Sequence, residues 1–138
     1  HVRKIERIAQ NMFICAPHVS QIAALGAFNG NLELKKNLSI YKKNREVLVR
    51  GLSEAGFKDI AQPDGAFYIY ADIDLFSKDS LAFATEILET VGVAVTPGID
   101  FDPVNGRTKL RFSYARTTKE IQEGVKRIKI FMKKRNFI

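Results

Sequence analysis

Cysteine and tryptophan are scarce in this sequence. Its 138 residues include one cysteine, Cys15, and no tryptophan. A single thiol cannot close a disulfide within the chain, so the sequence predicts a protein of a reducing compartment, and we expect the cytoplasm. Glycine and proline are also few, at nine and four residues. This composition excludes collagen-like and low-complexity chains and is typical of an ordinary globular domain.

Long apolar runs are missing as well. No stretch approaches the ~20 consecutive apolar residues that a membrane-spanning helix requires, and no cleavable targeting segment is evident. We therefore expect no membrane partner. Apolar residues still make up 46% of the chain, which is enough to bury one core in a protein of this length.

Positive charge is in excess, with 22 lysines and arginines against 15 acids and a formal net charge of +7. The basic residues lie in helix-like segments with acids between them, which is typical of solvated helix faces. A nucleic-acid module would combine such a patch with stacking aromatics. The phenylalanines and tyrosines here recur instead at core-like spacing, so the sequence predicts no nucleic-acid partner.

Four aspartates raise the question of a metal site. Asp72 and Asp74 form one pair and Asp100 and Asp102 another, but neither pair is accompanied by the glycine and the bidentate glutamate of a calcium loop. Solvation of strand ends and loops explains them better. We predict no metal ligands in this chain.

Hydrophobic periodicity predicts helices in the first part of the chain and an α+β arrangement in the rest. Residues 1–30 are expected to form two helical pieces separated near Pro17. A long helix is expected over residues 32–55, ended by a left-handed cap at Gly56. Its predicted apolar stripe is Leu34, Leu38, Tyr41, Leu48 and Leu52.

The remaining segments alternate between strands and helices. Strands are predicted over residues 66–71, 93–95 and 108–115. One helix is expected to begin at a Ser77 cap and to bury Leu81, Ala84, Leu88 and Val91, with Gly92 as its stop. A capping box of Thr117 and Glu120 predicts the last helix, with a stripe of Ile121, Val125, Ile128 and Met132. The sequence thus predicts a two-layer α+β sandwich of a small sheet covered by helices over residues 32–138, preceded by a helical segment over residues 1–31.

Arg111 interrupts a segment that otherwise reads as a buried strand. Leu110, Phe112 and Tyr114 alternate with Lys109, Arg111 and Ser113, so the two sets occupy opposite faces. A guanidinium can bind a carboxylate or phosphate through two parallel hydrogen bonds. The alternative is a solvated strand face. Upstream, Pro97-Gly98 marks a turn in which we expect Gly98 to adopt a backbone conformation that a side chain would disfavour.

Four motifs in order connect these features. They are QNMFICAPHVSQIAA at residues 10–24, PDGAFYIY at residues 63–70, VAVTPGIDF at residues 93–101 and LRFSYA at residues 110–115. Together they resemble the C-terminal segment of class I/II (fold type I) pyridoxal-phosphate-dependent aminotransferases. The resemblance implies that Arg111 binds the α-carboxylate of an amino acid or 2-oxo acid, and that the enzyme is a homodimer.

The resemblance also implies what this chain does not supply. In that family a lysine segment, a ring-stacking aromatic, an aspartate and a phosphate-binding arginine hold the pyridoxal 5'-phosphate, and all precede the region that resembles this chain. Residues 1–31 are then expected to be the end of the large cofactor-binding domain and residues 32–138 the C-terminal small domain. We expect no catalytic, cofactor-binding or metal-binding residue here, and an inactive chain on its own.

A second hypothesis remains open at this point. The chain could be a stand-alone α+β module that binds a small acid through Arg111 or serves in regulation. Residues 1–30 discriminate between the two hypotheses, because an independent module has no reason to carry exposed apolar helices.

Overall fold

The computed structural model describes all 138 residues and divides into two compact units, residues 1–37 and residues 38–138. The first unit contains helix α1 (Val2–Met12), helix α2 (His18–Ala27) and the first turns of helix α3 (Asn31–Glu54). Pro17 stands at the N-cap of α2, where its missing N–H is no loss to the helix. The helical reading of residues 1–30 is confirmed. No helix of the chain has both the length and the apolar character needed to cross a membrane.

Helices α1 and α2 bury none of their residues. The apolar positions of α1 recur at helical spacing, and each is between 58% and 73% exposed: Val2, Ile5, Ile8 and Met12. An amphipathic helix is normally stabilised when its apolar face packs against other apolar residues. The first unit therefore presents an exposed apolar surface.

The second unit contains a three-stranded antiparallel sheet, three α-helical segments and two short 3₁₀ helices, Gly98–Asp100 and Gly106–Thr108. Its elements after α3 are strand β1 (Tyr68–Asp72), helix α4 (Ser80–Val91), strand β2 (Thr96–Pro97), strand β3 (Lys109–Ser113) and helix α5 (Thr118–Lys134). The strand order is β1-β3-β2, and both Tyr70 of β1 and Thr96 of β2 pair with Arg111 of β3. The predicted α+β fold is confirmed.

The core lies between the sheet and the helices. Leu110, Phe112 and Tyr114 are at most 3% exposed, so the alternation predicted for this strand is confirmed. They belong to one apolar cluster with residues of α3, α4 and α5, including Leu52, Ile87, Ile128, Phe131 and Met132. The stripe predicted for α5 is buried throughout, and the Thr117–Glu120 capping box is present.

Helix α4 differs from its prediction in both its cap and its buried face. Its N-cap is Asp79 and not Ser77, because the Asp79 carboxylate accepts hydrogen bonds from the N–H groups of Leu81 and Ala82, each at 3.1 Å. Leu81 is 53% and Leu88 49% exposed, whereas the buried residues are Ser80, Phe83, Ala84 and Ile87. The helix is apolar on two neighbouring faces, and the edge contact of Phe83 with Phe131 in α5, at 5.5 Å between ring centroids, selects one of them.

Two further elements shift from their predicted positions. In α3, Leu34 and Leu38 are more than half exposed, and the buried residues are Asn44, Leu48, Gly51 and Leu52. Strand β2 begins at Thr96, beyond the predicted residues 93–95, because its pairing with Leu110 and Arg111 fixes its register.

Asn44 is fully buried and donates hydrogen bonds to the carbonyl oxygens of Tyr114 and Arg116, at 3.1 and 2.6 Å. This amide ties α3 to the end of β3.

The prediction that Gly98 adopts a backbone conformation disfavoured by a side chain is wrong. Positive φ angles among the glycines occur at Gly56 and Gly92 and not at Gly98. What Gly98 lacks is space, because an added Cβ would lie 2.5 Å from the carbonyl oxygen of Gly106 and 2.6 Å from the hydroxyl oxygen of Tyr70. The two glycines let the loop after β2 pack against the start of β3.

Replacing Gly98 by alanine should therefore destabilise the protein. The clash with Gly106 backbone is of the overpacking kind, and we expect a loss of about 1–3 kcal/mol in the free energy of unfolding, measured by urea denaturation. Gly124→Ala is the matched control, because Gly124 lies in α5 with open space around it, and it should stabilise the helix by roughly 0.5–1 kcal/mol. Equal stability of Gly98→Ala and the parent would show that the close approach is unimportant.

Lys109 and Asp72 join β3 to β1 through an ion pair. Lys109 Nζ lies 2.6 Å from Asp72 Oδ2, and the side chains are only 25% and 20% exposed. Burial alone would raise the pKa of the Asp72 carboxyl, but the hydrogen bonds from Lys109 and from the Asp74 N–H, with the nearby lysine charges, hold this pKa below its ordinary value. The hydrogen bond to Asp72 likewise raises the pKa of Lys109 against the effect of burial.

This pair should make stability depend on acidity. Because Asp72 ionises more readily in the folded chain, its contribution is present above its unfolded pKa and is lost as the pH falls through its folded pKa, below 3.8. At pH 6, Asp72→Asn should lower the free energy of unfolding by about 1–2 kcal/mol. The difference from the parent should shrink at pH 3. Glu89→Gln, an exposed position in no ion pair, is the charge-matched control, and a difference that stays constant with pH would contradict this account.

Candidate functional site

Arg111 lies in an open cleft on the face of the sheet that points away from the core. The cleft has a volume of about 430 Å³ and is lined by Tyr68, Tyr70, Phe101, Asp102 and Arg111. Antiparallel pairing places Tyr70 directly opposite Arg111, and Tyr68 is two residues away along β1 on the same face. Phe101 and Asp102 enter from the loop after Gly98. The fold thus brings three aromatic rings, one carboxylate and one guanidinium together.

Two aromatic rings and a hydroxyl hold the guanidinium. The guanidinium carbon of Arg111 lies 4.4 Å from the ring centroid of Phe101 and 5.2 Å from that of Tyr68. Its Nη2 donates a hydrogen bond of 3.3 Å to Oγ1 of Thr96 in β2. Rings attract a cation through their negative faces without accepting its in-plane hydrogen bonds. The side chain is positioned by contacts that leave most of its donors free.

Arg111 has no acidic partner in this chain. None of the ion pairs in the protein includes it, and its Nε is buried without a hydrogen-bond partner. Asp102 lines the same cleft, but its carboxylate accepts hydrogen bonds from the N–H groups of Val104 and Asn105 at 2.9 and 3.0 Å. These bonds keep the pKa of Asp102 low. A positive group without a counter-ion, in an open cleft, is able to bind an anion.

A larger cleft of about 550 Å³ lies beside α5. It includes two arginines, but each is paired with a glutamate of the same helix region: Arg116 with Glu120 at 3.9 Å and Arg127 with Glu123 at 2.8 Å. The side chain of Arg116 is also 74% exposed. Its larger volume would favour this cleft as the functional site. The guanidinium without an acidic partner favours the cleft around Arg111 instead.

The Arg111 cleft lacks the lysine that would hold pyridoxal phosphate covalently. No lysine lines the Arg111 cleft. Lys109, two residues from Arg111, is bonded to Asp72, and its pKa is raised. A lysine held in the ammonium form is a poor nucleophile toward an aldehyde. The cleft therefore offers a guanidinium without a counter-ion, and the lysine nearest to it in β3 is already paired.

Sequence reasoning found the central arginine and missed most of its surroundings. Arg111 lies on the face predicted for it, and Tyr68 and Tyr70 line the same cleft. Phe101 and Thr96 were missed as its contacts. Phe101 ends the motif at residues 93–101, so it was visible in the sequence, but the contact of Thr96 depends on the register of β2 with β3, which the sequence does not reveal.

Comparisons with known proteins identify a family that this chain matches. The model of the family "Aminotransferase class I and II" matches residues 1–128. A valine–pyruvate aminotransferase of Mycobacterium tuberculosis is 43% identical over 128 residues, covering 91% of this chain and 33% of the relative. A (5-formylfuran-3-yl)methyl phosphate transaminase of Methanocaldococcus jannaschii is 36% identical over 135 residues, covering 96% of this chain and 35% of the relative. The chain spans about a third of the length of these relatives.

Solved structures agree with the sequence comparison. A crystal structure from Silicibacter pomeroyi assigned to the aminotransferases superposes with a TM-score of 0.86 at 59% identity, covering 96% of this chain and 36% of the other. An aminotransferase from Mycobacterium tuberculosis gives a TM-score of 0.84 at 41% identity, covering 96% and 35%. The resemblance read from the four sequence motifs is confirmed, and the chain belongs to the class I and II aminotransferase family.

Proposed function

We propose that this chain is the C-terminal part of a pyridoxal-phosphate-dependent aminotransferase in which Arg111 binds the α-carboxylate of the amino acid and 2-oxo acid substrates. The observation that carries the proposal is the guanidinium of Arg111, which faces an open cleft between two aromatic rings and has no acidic partner. The planar fork of its N–H groups matches the two oxygens of a carboxylate.

The contribution of Arg111 would be orientation as much as affinity. A charge-assisted pair of hydrogen bonds contributes about 1.5–3 kcal/mol in net terms. Holding the carboxylate fixes the direction of the bonds at the neighbouring carbon, and misplacing a reacting centre costs roughly 100-fold in rate. The electron sink for the reaction is supplied by pyridoxal 5'-phosphate, held by residues outside this chain.

The exposed helices of the first unit support the same proposal. Helices α1 and α2 present exposed apolar faces, and covering them is the role that a large cofactor-binding domain would fill for residues 1–31. A stand-alone acid-binding module gives no reason for these faces. We further propose a homodimer in the cytoplasm, as is expected from the resemblance.

The relatives suggest where to look for the substrates. The Mycobacterium tuberculosis relative at 43% identity is a valine–pyruvate aminotransferase, and an aspartate aminotransferase of Sulfurisphaera tokodaii is 31% identical over 135 residues. A screen of the twenty amino acids with pyruvate or 2-oxoglutarate as acceptor, starting from valine and pyruvate, identifies the donor. The screen requires the complete protein that contains this segment.

The 138-residue chain by itself should not transaminate. Because no lysine lines the Arg111 cleft, adding equimolar pyridoxal phosphate should give only weak and non-specific absorbance changes, and no 2-oxo acid should form from any amino acid. The full-length Mycobacterium tuberculosis relative serves as the positive control. Stoichiometric modification of one lysine together with turnover would overturn the division of roles proposed here.

In the complete protein, Arg111→Lys should be far less active. Lysine keeps the charge but replaces the fork by a single point contact, so we expect kcat/KM for the donor to fall by at least ~100-fold while the absorbance of the bound cofactor is unchanged. Arg116→Lys is the matched control, since Arg116 is exposed and paired with Glu120, and its kcat/KM should stay within about 2-fold. Near-normal activity of Arg111→Lys would make Arg111 a structural residue.

A further inference from the structure

The loop between β2 and β3 brings one large aromatic side chain to the guanidinium. Phe101 is 53% exposed and does not belong to the apolar core. Its ring centroid nevertheless lies 4.4 Å from the guanidinium carbon of Arg111, closer than the ring of Tyr68 at 5.2 Å. A half-exposed phenylalanine outside the core contributes little to folding, so this contact needs another reason.

The backbone around Phe101 is fixed on both sides. Its N–H donates to the carbonyl oxygen of Gly98 at 2.9 Å, and Gly98 itself packs closely against Gly106. On the other side the carboxylate of Asp102 accepts the N–H groups of Val104 and Asn105. The ring is therefore presented to Arg111 from a turn with little freedom to move.

The acid next to Phe101 does not pair with Arg111. Asp102 follows Phe101 directly and lines the same cleft, but its Oδ1 accepts the N–H groups of Val104 and Asn105, and it forms no ion pair with Arg111. An aromatic ring orients a guanidinium through its face and accepts none of its in-plane N–H bonds, whereas a carboxylate at that place would compete with a bound substrate. The loop thus contributes an aromatic ring to Arg111 and no ion-pair partner.

We infer that Phe101 is a positioning residue, which holds the guanidinium of Arg111 in the orientation that receives the substrate carboxylate. This inference rests on the proposed function of Arg111 and adds to it the residue that acts through Arg111. Phe101 is a positioning group and takes no part in the chemistry, so its loss should weaken carboxylate binding more than turnover.

The test uses the complete protein and the donor that the amino-acid screen identifies, together with the 2-oxo acid of that donor as the binding probe. Phe101→Leu keeps an apolar side chain and removes the ring. We expect it to raise the KM for the donor and the calorimetric Kd for the 2-oxo acid by about 3- to 10-fold, with a much smaller change in kcat. Phe101→Tyr restores the ring and should recover most of this affinity.

Two controls decide whether the effect passes through Arg111. Val104→Ala changes an 80% exposed apolar residue of the same loop and should leave both constants within about 2-fold, since isolated surface changes rarely matter. In the Arg111→Lys background the additional effect of Phe101→Leu should fall below about 2-fold, because coupled residues are not additive.

Each outcome has a defined meaning. Unchanged constants for Phe101→Leu overturn the inference, as does an equal loss in Val104→Ala, which would indicate general loosening of the loop. An equal loss from Phe101→Leu with and without Arg111→Lys would place Phe101 on the substrate itself and also overturn it. If Arg111→Lys alone keeps normal binding, the proposed function fails, and this result is distinct from a failure confined to Phe101.

Discussion

The strict alternation of side chains along β3 is the constraint on which the rest of this structure depends. One set, Leu110, Phe112 and Tyr114, fills the core beneath the sheet, and the other set places Arg111 above it. A shift of one residue in register would bury the guanidinium and expose the core. Pairing with β1 and β2 on both edges and the Asn44 amide at the strand end hold that register.

A partly buried arginine without an acidic partner costs free energy, because its charge is removed from water without a counter-ion. This chain limits the cost with weak contacts, namely two aromatic faces and the hydroxyl of Thr96, and not with a counter-ion. The acids nearby have other partners: Asp72 pairs with Lys109, and Asp102 accepts N–H groups of its own loop. The surroundings keep the guanidinium oriented and charged, which is what anion binding requires.

The sequence predicted those features that local chemistry determines. The α5 cap and stripe, the glycine caps after α3 and α4, and the alternation in β3 follow from residues adjacent in the chain. The buried face of α4 could not be predicted in this way, because apolar residues occur at helical spacing on two of its sides. The contact of Phe83 with Phe131 decides which side is buried. The space required at Gly98 and the contacts of Arg111 with Thr96 and Phe101 likewise arise between segments, where periodicity carries no information.

The openness of the Arg111 cleft limits what this chain can do alone. An ion pair in solvent contributes about 0–1 kcal/mol, whereas charge-assisted hydrogen bonds shielded from water reach about 1.5–3 kcal/mol. One wall of the cleft is built here, from Tyr68, Tyr70 and Phe101. Exclusion of water from this cleft would therefore strengthen the binding of a carboxylate to Arg111.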